Sequence, residues 1–383
     1  MKRLLPAVSA AATVFLVALC LRPAITAVGP LLPQISADVG LGEAAQGLLG
    51  ALPLLAFAFV SPQVHRLSGR FGMERAVLLA LLVLAAGSVA RSYTGTAGLW
   101  AGTAVIGCAI AVGNVLVPAI VKRDYAANVS RATGFYTAFI TVAASTASAV
   151  AVPVADAVDW RLSLALWAIP TLVVAAVWAP RAKPEPVADV SVPGAGAPVW
   201  RQPRAWLITA FMGLQSTCFY VLVTWLPTIE ISHGVSERTA GLHLFLFQGM
   251  GIVGGLAVPL LLRDPATRAL GAIAASLPVV VAMGGLLAAP GPVVLWAAIA
   301  GLGQGASLVA ALTLISLGGR TASETTRLSG MAQSLGYLLA AAGPVAAGVL
   351  AERTGAWEAT LVMIIGLGVL QTAAGAAAGR KGS

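Results

Sequence analysis

The chain has 383 residues, of which 58% are apolar and only 10% charged, with a net charge of +9. A soluble domain would carry about 25% charge, and here the charges cluster between apolar runs of about 18–25 residues, long enough to cross a bilayer core. This excludes an ordinary soluble domain. The confinement of the basic residues to short loops also excludes reading the net charge as a nucleic-acid footprint.

Met1-Lys2-Arg3 and the apolar residues after them look like a signal peptide, but many similar runs follow and Arg22 interrupts this one. The segment therefore reads as a first span. Apolar runs predict spans near 7–32, 45–64, 74–92, 97–121, 131–154 and 160–179, then 204–227, 238–262, 268–289, 292–317, 327–350 and 357–377. Residues 181–203 lie between the two sets. Pro184, Pro186, Pro193 and Gly194 oppose a helix there, so the segment is expected to be a cytoplasmic linker between a bundle at 1–180 and another at 204–383.

An even number of spans puts both termini on one side, and the positive-inside rule chooses which. With the termini cytoplasmic, 18 of the 23 Lys and Arg fall inside; Arg91, Arg161, Arg238 and Arg353 fall outside and Arg22 lies within a span. Eight of the fourteen acids fall on the outer side. The expected location is a bacterial inner membrane, with lipid as surroundings and a monomer as default.

The two sets also repeat each other. Leu32-Pro33 and Leu226-Pro227 lie 194 residues apart, Leu99-Trp100 and Leu295-Trp296 lie 196 apart, and Trp160 and Trp357 lie 197 apart. Matches in order with a slowly drifting offset indicate two parallel six-helix repeats. That arrangement resembles the major facilitator plan, so the expected fold is an all-α membrane fold with twelve helices in two pseudo-symmetric bundles and a substrate site near mid-membrane.

Polar residues within spans are costly unless they face a cavity or a partner, so they are the candidate site residues. Arg22 precedes Pro23, which removes a backbone donor and disfavours helical geometry at Arg22. With Gly29, Pro30 and Pro33 following, the outer half of this helix is expected to be irregular. Apart from Glu74 and Glu358 in the first two positions of their spans, no Asp or Glu lies inside a predicted span, so the Arg22 guanidinium is expected to anchor an anion, the alternative being that it snorkels or is held by carbonyls. Asn114, Tyr136, Gln215, Tyr220, Gln304, Gln333 and Tyr337 could line the cavity, or tie helices together. Trp225 reads as an interfacial anchor. His243 either carries a coupling proton or sits on the outer rim. Cys20, Cys108 and Cys218 lie far apart in helices and read as packing residues. There is no phosphate-binding glycine loop, metal-ligand spacing or Ser/His/Asp set, so no catalytic residue, metal or cofactor is expected.

Leu21-Arg22-Pro23-Ala24-Ile25-Thr26 through Val28-Gly29-Pro30-Leu31-Leu32-Pro33 resembles the first-helix signature of the cyanate and 2-nitroimidazole permease family. Gly113-Asn114-Val115-Leu116-Val117-Pro118, Lys122-Arg123-Asp124 and Trp225-Leu226-Pro227 extend the resemblance along the chain. Ser68-Gly69-Arg70-Phe71-Gly72-Met73-Glu74-Arg75 is similar to the facilitator gating loop and keeps Arg70, Gly72 and Arg75, but Gly69 stands where an acid is usual. The resemblance implies secondary transport of a small compound, cyanate-like anion or nitroimidazole-like heterocycle, by alternating access with a proton or counter-substrate as partner. An anion held by Arg22 is the preferred substrate class, and efflux of a neutral or weakly basic aromatic compound the alternative.

Overall fold

The computed structural model describes residues 12–125, 129–182, 199–262, 264, 266–319 and 322–380. Residues 7–11 of the first predicted span and 183–198 of the predicted linker lie outside them. Every α-helix or strand among the described residues is a helix: α1 (Thr13–Cys20), α2 (Pro23–Thr26), α3 (Val28–Val39), α4 (Glu43–Val60), α5 (Val64–Phe71), α6 (Met73–Tyr93), α7 (Gly95–Asp124), α8 (Val129–Ala157), α9 (Trp160–Ala165) and α10 (Ala168–Trp178). After residue 198 come α11 (Pro203–Ser232), α12 (Glu237–Ala257), α13 (Pro259–Leu262), α14 (Arg268–Ala288), α15 (Val293–Gly318), α16 (Ala322–Thr354) and α17 (Glu358–Gly379). Twelve stretches of these helices are long and apolar enough to cross a membrane, from Thr13–Val39 to Glu358–Gly379. The protein is therefore an all-helical, multi-pass membrane protein.

Two ends differ from the sequence expectation, both because proline did not stop a helix. The outer half of the first span is regular: α3 runs through Pro30 and Pro33 to Val39. Likewise α11 continues through Pro227 to Ser232. Pro227 lacks the N–H that would bond the Val223 carbonyl. That carbonyl is met by Gly29, where any Cβ would collide with it. A glycine thus lets a neighbouring helix cover the backbone group that proline leaves unpaired, the usual condition for proline within a membrane helix.

The chain divides into two compact units, Met1–Val28 with Phe59–Ser191, and Gly29–Ala58 with Val192–Ser383. In the first, α6 packs on α7 with Gly102 directly against the backbone of Arg91. In the second, small residues again set helix contacts: Gly305 lies on the Gly251 carbonyl, Gly254 on the Leu302 carbonyl, and Gly213 on Gly336. Close backbone approach of this kind replaces the hydrophobic drive that lipid cannot supply. Large apolar side chains such as Phe59, Ile169, Leu256 and Leu260 are exposed, the pattern of an outer face solvated by lipid. Cys20, Cys108 and Cys218 are free thiols.

The second unit also holds a buried polar tie that sequence reading missed. Gln371 Nε2 donates to Ser276 Oγ at 3.0 Å and Ser307 Oγ at 2.8 Å, joining α17 to α14 and α15. Nothing in the sequence pattern singles out Gln371, because its partners are serines on other helices.

Candidate substrate and coupling sites

The first span is interrupted between α1 and α2, at Leu21–Arg22, and again at the single turn residue Ala27 between α2 and α3. Leu21 turns back to donate its N–H to the Ala18 carbonyl at 3.3 Å, and Arg22 takes φ −123° and ψ −34° as the residue before α2. The Arg22 carbonyl then accepts from the N–H groups of Ile25 and Thr26 at 2.9 and 3.1 Å. Pro23 causes the break, because it has no N–H to continue the ladder and crowds Arg22 out of helical geometry. The Arg22 side chain is half-buried.

Three contacts hold the short α2 in place. Thr26 Oγ1 donates to the Ala144 carbonyl at 3.0 Å, and Ser148 Oγ donates to the Thr26 carbonyl at 3.2 Å, both on α8. From α6, Arg91 Nη1 donates to the Ala24 carbonyl at 2.6 Å. Gly113 of α7 lies against the Leu21 side chain, so the turn carrying Asn114 sits beside the residue that precedes Arg22. Asn114 Nδ2 is buried with no hydrogen-bond partner. The structure thus gathers the Arg22 break, the Asn114 turn and Arg91 in the first unit. Tyr136 is buried in α8.

The remaining candidates belong to the second unit. Gln215 is buried in α11 and donates from Nε2 to Ser216 Oγ at 2.7 Å. Gly213, two residues earlier, touches Gly336 of α16, which brings the turns of Gln215 and Tyr337 to the same helix contact. Tyr337 is half-buried and lies edge-on to Phe57, 5.4 Å between ring centres. Tyr220 is buried edge-on to Phe219 at 5.2 Å. Gln333 Nε2 donates to Ser329 Oγ at 2.9 Å within α16. Gln304 is buried in α15, and both its amide oxygen and nitrogen lack a partner.

Sequence reading placed no acid beyond the first two positions of a span, and the structure corrects this. Glu230 lies inside α11, has no solvent exposure, and receives His243 Nδ1 on Oε2 at 2.8 Å; its Oε1 has no hydrogen-bond partner. The acid escaped detection because the predicted span ended at Pro227. His243 is therefore not a bare outer-rim residue: it pairs α12 with α11. Trp225 is not an interfacial anchor either. It is fully buried, donates Nε1 to the Pro344 carbonyl at 2.9 Å, and packs 4.9 Å from the Trp357 ring.

In the loop after α5, Gly72 takes φ +80°, a conformation that favours glycine and closes α5 against α6. Arg70 is exposed beside the Phe71 ring, and Arg75 donates Nε to the Ala182 carbonyl at 3.2 Å. No acid stands at 69, but two others bind the basic residues nearby. Glu74 pairs with Arg123 at 2.5 Å, and Asp124 pairs with Arg123 at 2.9 Å and Arg181 at 2.5 Å. Among the described residues, no group of three His, Cys, Asp or Glu could hold a metal.

Twelve apolar spans, one of them broken, with amide and charged groups buried among them, define a polytopic membrane protein. The chain belongs to the Major Facilitator Superfamily, whose family model matches residues 14–344. It is 39% identical over 374 residues to the 2-nitroimidazole transporter of Escherichia coli (strain K12), covering 96% of this chain and 95% of that protein. It is 26% identical over 362 residues to the cyanate transport protein CynX of the same organism, covering 93% and 94%. A bacterial homologue of the human lysosomal transporter Spinster, solved inward-facing and unoccupied, shares the fold with a TM-score of 0.79 at 15% identity over 97% and 96% of the two chains. The chain is thus a secondary transporter of the cyanate and 2-nitroimidazole permease type.

Proposed function

We propose that this transporter moves a small organic or inorganic anion across the bacterial inner membrane, with both termini cytoplasmic and Arg22 as the anion anchor. The observation that carries the reading is the break at Leu21–Arg22, which sets the half-buried Arg22 at interrupted backbone, next to Leu21, whose side chain meets the turn that carries Asn114 and its unpartnered Nδ2. A cation in that setting favours an anionic group and lowers the cost of the anion leaving water. Asn114 and Tyr136 in the first unit, and Gln215, Tyr220, Gln304, Gln333 and Tyr337 in the second, are the further residues assigned to substrate contact. Residues 1–180 and 204–383 act as the two moving halves of an alternating-access cycle in a monomer, with Arg70, Gly72 and Arg75 serving the inner gate. His243, paired with Glu230, carries a coupling proton.

A second reading, efflux of a neutral or weakly basic aromatic compound, is favoured by the 39% identity to a protein named as a 2-nitroimidazole transporter. Thermal unfolding of the detergent-purified protein separates the two. The anion reading expects cyanate or another small anion to stabilise the wild type and not Arg22→Ala. Stabilisation by 2-nitroimidazole alone, equal in both proteins, would transfer the assignment to efflux and return Arg22 to a structural role.

A further inference from the structure

Arg91 stands at the end of α6, where sequence reading counted it as an outer-loop charge. The structure makes it one of the largest fully buried side chains, 1% exposed. One arm of its guanidinium is committed: Nη1 donates to the Ala24 carbonyl at 2.6 Å. The other two nitrogens, Nε and Nη2, are buried and have no hydrogen-bond partner. These two donors form one edge of the guanidinium plane, because Nη2 lies trans to the side chain and its N–H runs parallel to that of Nε. That edge is the fork that meets two oxygens of a planar group at once.

The surroundings fix the fork and leave it without a protein acceptor. Gly102 of α7 lies directly on the Arg91 backbone, and Gly87 one turn earlier sits against Ile106 and Val105, so this end of α6 has little freedom to shift. The Ala24 carbonyl belongs to α2, the short helix created by the break at Leu21–Arg22, and α2 is itself held on α8 by Thr26 and Ser148. Asp159 near this end of the unit accepts the Leu162 N–H at 2.6 Å and caps α9. A buried guanidinium seldom leaves a whole edge unmatched, since an unmade bond to a charged donor costs more than one to a neutral donor.

We propose that the Nε–Nη2 edge of Arg91 is a binding fork for a planar two-oxygen group, a carboxylate above all, at the break of the first helix. The proposal rests on the reading of the protein as a transporter of small anions and narrows it. Arg22 supplies charge at the break, whereas Arg91 selects the shape of the anion. A linear anion such as cyanate engages one arm of the fork, a carboxylate engages both, and the matching amide, with one oxygen and a donor NH2, is rejected.

Thermal unfolding of the full-length protein in detergent tests this with benzoate, benzamide and cyanate as probes, on wild type, Arg91→Lys and Arg22→Ala. Lysine keeps the charge but has no planar fork. The expected result is that benzoate stabilises the wild type and benzamide does not, that Arg91→Lys weakens half-saturation by benzoate at least ~10-fold, and that its response to cyanate changes less. Equal benzoate stabilisation of wild type and Arg91→Lys would overturn the fork while leaving the anion reading intact. No stabilisation of the wild type by either anion would overturn both. If Arg91→Lys does not fold, infrared difference spectra of 13C-carboxylate benzoate on the wild type decide. A changed splitting of the two carboxylate stretches supports two-oxygen engagement, and the splitting of free benzoate overturns it.

Discussion

Removing His243 while leaving Glu230 in place strands a carboxyl group inside the protein. Glu230 has no exposed surface, His243 Nδ1 is its bonding partner at 2.8 Å, and Oε1 has none. Leaving a buried polar group without its hydrogen-bond partner costs about 1–3 kcal/mol. The His243 side chain is 16% exposed, so water can reach the vacated side and the middle of that range, about 2 kcal/mol, is the expected cost of His243→Ala. Glu230→Gln behaves differently: a neutral amide keeps the shape and can still meet the imidazole, so its cost is about 1 kcal/mol. The double variant should then unfold close to Glu230→Gln alone, giving a coupling energy of about 2 kcal/mol. The assay is equilibrium unfolding in mixed micelles, read by Trp fluorescence for all four proteins. A His243→Ala protein within about 0.5 kcal/mol of wild type, or a double variant that loses the sum of the two singles, would refute the claim that this pair is a coupled, buried unit.

Two further outcomes follow from packing in the second unit. Gln371→Met should cost less than about 1 kcal/mol in the same unfolding assay, although Gln371 bridges three helices, because its serine partners already have backbone acceptors. Ser276 donates to the Ala272 carbonyl and Ser307 to the Ala275 carbonyl, both at 2.9 Å, and the substitution also removes the unpartnered Gln371 Oε1. Gly305→Ala, in contrast, drives a methyl into the Gly251 carbonyl and should cost about 1–3 kcal/mol. Gly330→Ala meets nothing within 4 Å and serves as the control, neutral or slightly stabilising.

The twelve spans were legible because hydrocarbon thickness imposes a length and an apolarity that single residues cannot disguise. The Leu21–Arg22 break was legible for a similar reason, since proline acts on the residue before it wherever nothing compensates. Long-range compensation was not legible. Pro227 carries the same local signal as Pro23, yet α11 runs through it because Gly29, distant in sequence, covers the Val223 carbonyl. Gln371 shows the same limit, since its role exists only once α14, α15 and α17 are assembled.

Arg91 and Glu230 were misread through one shared assumption. Charges near the ends of apolar runs were used to mark where the membrane stops, so each was assigned to the outer side by its position along the chain. Helices here are longer than the hydrocarbon core requires: α11 has 30 residues, about 45 Å at 1.5 Å per residue, against a core of about 30 Å. A charge can therefore sit beyond the apolar window and still be enclosed by neighbouring helices instead of water. Its cost is then set by its partners, and the two residues differ there. Glu230 has an imidazole on one oxygen, the contact on which the proposed coupling proton rests. Arg91 has a carbonyl on one nitrogen and an unmatched edge on the other side, which makes it a place to hold an anion. The positive-inside count is untouched by Glu230, which is not among the Lys and Arg, and reassigning Arg91 alone leaves 18 of the 23 in the segments expected inside. Charge totals therefore set an expected topology without depending on any one residue, whereas the functional charges among them are found only through their partners.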